Sequence, residues 1–178
     1  VKTKRIWQYL DPMNKKSILV SVPLTYPVMP LKGIMIGGFL APSFNEKSVY
    51  PKEILKEIYD VIGHEYMFDV NVGLAGYKSL ETDQMIEGVY KMTDDQCKVI
   101  KHFLQTKDWD LFMTVMLGSD RLQHTMWRFM DPKHRRYPGE TKYANIIFEY
   151  YKYLDRQLGE MMALCKEDTY FLFVSDHG

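Results

Sequence analysis

The chain has 178 residues, and its 23 Lys and Arg side chains balance 23 Asp and Glu side chains, so the formal net charge at pH 7 is zero. This length suits one domain with a real hydrophobic core, and the balanced charge gives no signal for nucleic acid. No run approaches the roughly 20 apolar residues that a membrane span needs. Cys97 and Cys165 lack metal-ligand spacing. We therefore expect a single domain with reduced thiols and a cytoplasmic location.

The N-terminal part predicts a helix followed by a buried strand. An amphipathic pattern surrounds Trp7, and the run Ser17–Val22 is apolar enough for a strand that is covered on both faces. Prolines at 23, 27, 30 and 42 then disfavour helix and central strand. For this stretch we predict a long ordered loop or a small subsidiary hairpin, with Gly33–Gly38 as its short apolar piece.

The middle of the chain predicts mainly helices. Pro51 suits a first helical position, and apolar residues repeat at helical spacing until Gly63. A strand-like segment, Tyr66–Val70, follows. Two further helices are predicted over Thr82–Met92 and Thr93–Gln105, the second opened by a capping box.

The last third predicts a strand, a long helix and a second strand. Leu111–Leu117 and Tyr170–Val174 are apolar runs typical of buried parallel strands, and the helical pattern between them runs from Tyr143 to Met161. A right-handed crossover would bring both strand ends to one edge of the sheet. We therefore predict an α/β fold, with three layers in the order α/β/α and a mostly parallel sheet.

An Asp and a His follow each of these two strands. Asp120 and His124 are four residues apart and share a face if the strand leads into a helix. Asp176 and His177 are adjacent, so both serve one site only if the backbone turns, which Gly178 permits. Because ligand sites lie beyond the carboxyl ends of parallel strands, all four are candidate metal ligands. Two alternatives stay open: Asp120 caps the helix Arg121–Met130, or His177 is a hydrogen-bonded loop residue.

These motifs resemble the alkaline phosphatase superfamily, in its type I phosphodiesterase and nucleotide pyrophosphatase branch. The resemblance rests on Gly118–His124 and on Val174–Gly178, whose Ser-Asp-His-Gly sequence is its most specific element. Val22–Pro27 and Gly33–Ser43 also resemble segments of the phosphodiesterase-like members of that branch. The resemblance thus covers most of the chain.

The resemblance implies two divalent metal ions, zinc first and manganese as the alternative. Asp120 and His124 would hold one ion, and Asp176 and His177 the other. The implied chemistry is hydrolysis of a phosphate ester or a nucleotide-like substrate, with a Thr or Ser nucleophile that forms a transient phospho-enzyme.

The family places its nucleophile and one further Asp ligand upstream of the segment that matches Val1, and another His ligand downstream of the segment that matches Gly178. We therefore expect residues 1–178 to be the central part of a larger catalytic domain, incomplete at both ends. By itself, the chain is expected to be inactive and to bind its metal ions weakly or not at all, because each ion has two protein ligands instead of three or more.

Neighbouring residues are given weaker roles. Ser119, Thr125 and Ser175 are interpreted as partners of the ligands and not as nucleophiles. Trp127 and Phe129 are core residues or a stacking surface for a nucleotide base or an organic leaving group. Arg121 forms a solvated ion pair or contacts a substrate phosphate. The remaining histidines, at positions 64, 102 and 134, are expected to have surface or capping roles.

Three functional readings remain open at this point. The first is the phosphodiesterase, and the second is another member of the superfamily, such as a phosphomutase, sulfatase or phosphonate hydrolase. The third is a non-catalytic α/β binding module. Exposed sheet edges also predict homo-oligomers.

Overall fold

A computed structural model describes residues 3–70, 82–175 and 177 of the chain. Its centre is a mixed sheet whose described strands are β1 Ser17–Val22, β2 Gly33–Gly37, β3 Val49–Tyr50 and β4 Leu111–Thr114. They lie in the order β3-β2-β1-β4. β1 pairs in parallel with β2 and β4, whereas β3 runs antiparallel to β2. This confirms an α/β fold with a mostly parallel sheet.

Helices cover both sides of this sheet. In chain order they are α1 Ile6–Leu10, α2 Ile54–Ile62, α3 Thr82–Thr106, α4 Gly118–Met130 and α5 Ile146–Ala163, with a 3₁₀ turn at Asp11–Met13. None of these described helices is both long enough and apolar enough to cross a membrane.

The central strand β1 shows why its sequence is continuously apolar. All six of its residues are buried, and successive side chains of a strand point to opposite faces. Ile18 and Val20 pack in one cluster with residues of α2 and α3, whereas Leu19 packs on the other face against Trp7 of α1. A strand covered on both faces needs apolar residues at every position, as the sequence predicted.

The prediction of a loop or subsidiary hairpin around Gly33–Gly38 was wrong. Gly33–Gly37 is strand β2, which pairs in parallel along β1 from Ser17 opposite Gly33 to Val22 opposite Gly37. The prolines that suggested a loop lie outside the strand. Gly33 has φ of +135°, and a Cβ there would lie 2.0 Å from the Ser17 carbonyl oxygen, so this close pairing requires glycine.

The segment Tyr66–Val70 is not a strand. Tyr66, Phe68 and Val70 are buried at alternating positions, which is the pattern that suggested a strand. Their side chains fill the core instead: the rings of Tyr66 and Phe68 lie 5.3 Å apart, edge to face, and the Tyr66 hydroxyl is 2.8 Å from Ser21 Oγ. Side-chain packing therefore produces the alternating burial of this segment, without backbone hydrogen bonds to a neighbouring strand of the described sheet.

The two helices predicted over Thr82–Met92 and Thr93–Gln105 form one helix, α3. Thr93 is buried in its middle, and its hydroxyl donates to the Val89 carbonyl oxygen four residues earlier at 2.8 Å. A mid-helix threonine is accommodated by this type of hydrogen bond. The residues that suggested a capping box therefore do not begin a helix.

The predicted final strand, Tyr170–Val174, does not join the described sheet. These residues belong to no ladder, and their side chains are 43–99% exposed. β4 is correspondingly only half-buried and ends at Thr114 instead of Leu117. An apolar run forms a buried strand where a neighbouring strand supplies backbone hydrogen bonds and helices cover both faces. Neither condition is met at 170–174 in the described structure. The expected βαβ crossover is therefore not formed by these residues.

Candidate metal centre

The candidate site lies where β4 ends and α4 begins, at the carboxyl edge of the parallel strands. Gln96 of α3 holds this connection, because its Nε2 donates to Thr114 Oγ1 at 3.1 Å and to the Val115 carbonyl oxygen at 2.8 Å. The amide is buried, so both hydrogen bonds replace water that cannot reach it. The turn into α4 is thereby fixed to the core.

The first turn of α4 packs directly on α5. The hydroxyl of fully buried Tyr150 lies 2.7 Å from Thr93 Oγ1, and burial raises the pKa of Tyr150, so that this hydroxyl stays protonated. A Cβ on Gly118 would lie 2.0 Å from Tyr150 Oη. Only glycine lets α4 begin this close to α5.

Asp120 and His124 lie on one face of α4, as their spacing predicted. His124 Nε2 is 3.1 Å from Asp120 Oδ1. The alternative role of Asp120 as a helix cap is wrong, because the N-cap is Leu117 and no side chain caps it. Asp120 is the third residue of the helix, where a carboxylate interacts favourably with the helix dipole.

His177 joins this pair from the far end of the chain. Its Nε2 lies 3.4 Å from Asp120 Oδ1, and the rings of His124 and His177 are 5.9 Å apart. One ligand atom from each of the three residues lies within 4.8 Å of the others. The structure therefore brings three of the four predicted ligands together.

The fourth predicted ligand, Asp176, lies outside the described residues. Its role as a ligand and the assignment of His177 to a second ion with it both stay predictions. The contact of His177 with Asp120 is compatible with two ions at one site, since paired metal ions lie about 3.5 to 4 Å apart.

The three donors fit a divalent metal ion such as zinc. They are one carboxylate oxygen and two imidazole nitrogens, a combination found in catalytic zinc sites that keep one position open. Tetrahedral ligands about 2.0 Å from zinc lie about 3.3 Å from one another, close to the 3.1 and 3.4 Å observed from Asp120 to the two histidines. The side chains of Asp120, His124 and His177 are 26, 58 and 49% exposed, so solvent reaches the site.

Comparison with known proteins identifies the family. The family described as type I phosphodiesterase / nucleotide pyrophosphatase matches residues 1–178. The chain belongs to this family. No curated protein and no solved structure matches the chain.

Beside the candidate ligands of this phosphodiesterase-family chain, Arg121 forms ion pairs. Its guanidinium contacts Asp120 and also Asp69, a residue that the sequence analysis missed. Asp69 follows the core aromatic Phe68 and belongs to no motif. The sequence indicated only that Arg121 would pair with some carboxylate, and it did not indicate which one. Of the two roles predicted for Arg121, the structure shows the ion pair, but this pair is not solvated as predicted, because the Arg121 side chain is only 12% exposed.

A cavity of about 420 Å³ opens beside the candidate ligands, and it is lined by Gln123, His124, Trp127 and His177. Its volume falls within the range of ligand pockets. Trp127 is 44% exposed and faces this cavity, whereas Phe129 is 7% exposed and belongs to the core. Phe129 is therefore a core residue, and the stacking role of Trp127 stays a prediction.

The other histidines have structural partners. His64 Nε2 lies 3.2 Å from Asp95, and His102 Nε2 lies 2.7 Å from Glu57. His134 Nδ1 accepts a hydrogen bond from the backbone N–H of Arg136 at 3.1 Å. These contacts agree with the surface and capping roles that the sequence predicted.

Proposed function

We propose that this chain contributes a metal centre to the hydrolysis of phosphate diesters or nucleotide pyrophosphates. Membership of the family supports a phosphoester hydrolase. The observation that carries the finer proposal is the approach of Asp120, His124 and His177 to within 4.8 Å. Zinc is the proposed ion, with manganese as the alternative, since both accept carboxylate and imidazole ligands.

In this proposal His177 moves from the second ion, where the resemblance placed it, to the first, because its Nε2 lies 3.4 Å from Asp120 Oδ1. Asp120 Oδ1 and the Nε2 atoms of the two histidines would hold one ion, and Asp176 would take part in holding a second. When bound, such ions polarise the phosphoryl group, lower the pKa of the nucleophile and offset developing negative charge. The side chains of the chain itself orient the site and leave one side open toward the cavity. That open side, at Trp127 and Gln123, is where we place the substrate.

The nucleophile of this proposal is none of the hydroxyl groups next to the ligands. Ser119 Oγ donates to the Met116 carbonyl oxygen at 3.2 Å, and Thr125 Oγ1 donates to the Arg121 carbonyl oxygen at 2.6 Å. Ser175 Oγ donates to the backbone carbonyl oxygen of His177. Because each hydroxyl proton is engaged by a backbone carbonyl, we assign the nucleophile to the Thr or Ser that the family places outside this chain.

Metal binding by the chain tests the proposal directly. Zinc content after dialysis would be measured by elemental mass spectrometry, and affinity by competition with a chromophoric chelator. Asp120→Asn and His124→Ala should each weaken zinc binding by at least about tenfold, because one of three ligands is lost. His134→Ala is the matched control, since this imidazole accepts a hydrogen bond from the backbone of Arg136 in the loop after α4.

Two results would decide between a hydrolase and a binding module. A longer version of the chain that includes the family's nucleophile should hydrolyse bis-p-nitrophenyl phosphate, and Asp120→Asn should abolish that activity. If the wild-type chain and the longer version bind zinc no better than the Asp120→Asn variant, the proposed metal centre is wrong.

A further inference from the structure

A single guanidinium group connects the candidate metal centre to a distant segment of the chain. Arg121 Nε donates to Asp69 Oδ1 at 2.8 Å, and Arg121 Nη2 donates to Asp69 Oδ2 at 2.5 Å. Arg121 Nη1 donates to Asp120 Oδ2 at 2.7 Å. Asp69 thus receives the planar, two-pronged contact that arginine makes best, and the third nitrogen holds the candidate ligand.

The contact with Asp120 requires an external partner for Arg121. Adjacent residues of a helix do not face one another, so the position of Arg121 in α4 does not by itself direct the side chain to Asp120. Asp69 supplies that direction from outside the helix. It is itself anchored, because both of its neighbours, Phe68 and Val70, are buried in the core.

Arg121 is also enclosed by its surroundings. Its side chain is only 12% exposed, and its guanidinium carbon lies 5.4 Å from the centre of the Phe39 ring, just after β2. A guanidinium held by two carboxylates and an aromatic ring loses most of its freedom. These partners, among the residues that the structure describes, come from separate parts of the fold.

The two carboxylate oxygens of Asp120 have different partners. Oδ2 accepts the hydrogen bond from Arg121, and Oδ1 is the oxygen that faces His124 and His177. We propose that Arg121, held by Asp69, is a positioning residue that turns Asp120 Oδ1 toward the two histidines. The effect of Arg121 on metal binding rests on the function proposed above.

Charge supports the same role. Asp69 and Asp120 would repel each other if no cation lay between them, and Arg121 compensates for one of the two negative charges. A lysine would supply the positive charge but not the planar, two-pronged hydrogen bonding of a guanidinium, because its ammonium group is a point charge. The proposal therefore predicts that charge alone is insufficient.

Zinc affinity of Arg121 and Asp69 variants tests the proposal. Arg121→Met should weaken zinc binding about 10- to 100-fold, the usual effect of losing a residue that orients a metal ligand. Arg121→Lys should lie between this variant and the wild type, and Asp69→Asn should also weaken binding. Matched controls are Lys107→Met and Glu57→Gln, which break a partly buried ion pair between Glu57 of α2 and Lys107, the residue after α3, and should leave zinc affinity unchanged.

Imidazole ¹⁵N NMR of the metal-free protein reads the orientation of Asp120 without any metal. Arg121→Met should shift the His124 and His177 signals, whereas the His134 signal serves as the internal reference and stays. A folded Arg121→Met variant with unchanged imidazole signals and zinc affinity within about twofold of wild type overturns the inference. If neither the wild-type chain nor the longer version binds zinc, the proposed function fails, and the imidazole signals alone then decide the role of Arg121.

Discussion

Replacing Gly118 with alanine should destabilise the protein, although the same change inside a helix usually stabilises it. Alanine is favoured over glycine in a helix by about 0.5 to 1 kcal/mol. At position 118, however, the new Cβ would lie 2.0 Å from Tyr150 Oη and 2.8 Å from Thr93 Oγ1. Tyr150 is fully buried, so its ring cannot move away without disturbing the core.

The size of the effect follows from the atoms that must move. Forcing a methyl group into a packed core costs about 1 to 3 kcal/mol. Separating the hydroxyl of Tyr150 from that of Thr93 leaves a buried polar group without its partner, which costs about 1 to 3 kcal/mol more. After subtracting the helix preference of alanine, the free energy of unfolding should fall by about 1 to 5 kcal/mol.

Urea denaturation measures this change as a shift of the midpoint at constant slope. Gly159→Ala in α5 is the matched control: a Cβ there meets nothing within 4 Å, so this variant should be more stable by about 0.5 to 1 kcal/mol. Adding Tyr150→Phe to Gly118→Ala should cost less than the sum of the single changes, because the hydroxyl causes the closest clash. If Gly118→Ala unfolds at the same urea concentration as Gly159→Ala, the argument is refuted.

Three further predictions follow from other parts of the fold. Burial opposes ionisation of Glu57, but hydrogen bonds from Lys107 and His102 outweigh this effect and lower the pKa of Glu57. The stability that the ionised Glu57 contributes should therefore be lost as the pH falls below about 4. Glu57→Gln should make the stability of the protein less dependent on acid pH. Burial raises the pKa of Cys97 to about 12, so Ellman's reagent should modify Cys165 first and reach Cys97 only on unfolding. The exposed apolar segment Tyr170–Val174 should promote self-association, and light scattering that finds only monomer at high concentration would contradict this.

Sequence patterns predicted the parts of the fold that depend on local periodicity. The apolar run of β1 reflects the burial of both of its faces. The helical spacing of apolar residues from Tyr143 onward identified the buried face of α5, which includes Ile147, Tyr150 and Leu154. The pair Asp120 and His124 was found in the same way, since four residues make about one helical turn. In each case the deciding interaction lies within one element or repeats along it.

Elements that depend on distant partners were harder to predict. The apolar residues of β2 are too few to outweigh the surrounding prolines, and the strand exists because β1 pairs with it over five positions. Thr93 resembled a helix start because its burial against Tyr150 cannot be read from α3 alone. The segment Tyr170–Val174 has the composition of a buried strand, yet composition does not supply the neighbour it would need.

The candidate site combines both kinds of information. Helix α4 places Asp120 and His124 one turn apart on the same face, so their proximity could be predicted from local spacing. His177 was expected there because of a strand that the described sheet lacks, yet it meets Asp120 Oδ1 all the same. Asp69 had no sequence signal, and through Arg121 it acts on the other oxygen of the same carboxylate. Asp120 is therefore the residue on which the local and the distant interactions converge, and its substitution should disturb the site more than that of either histidine.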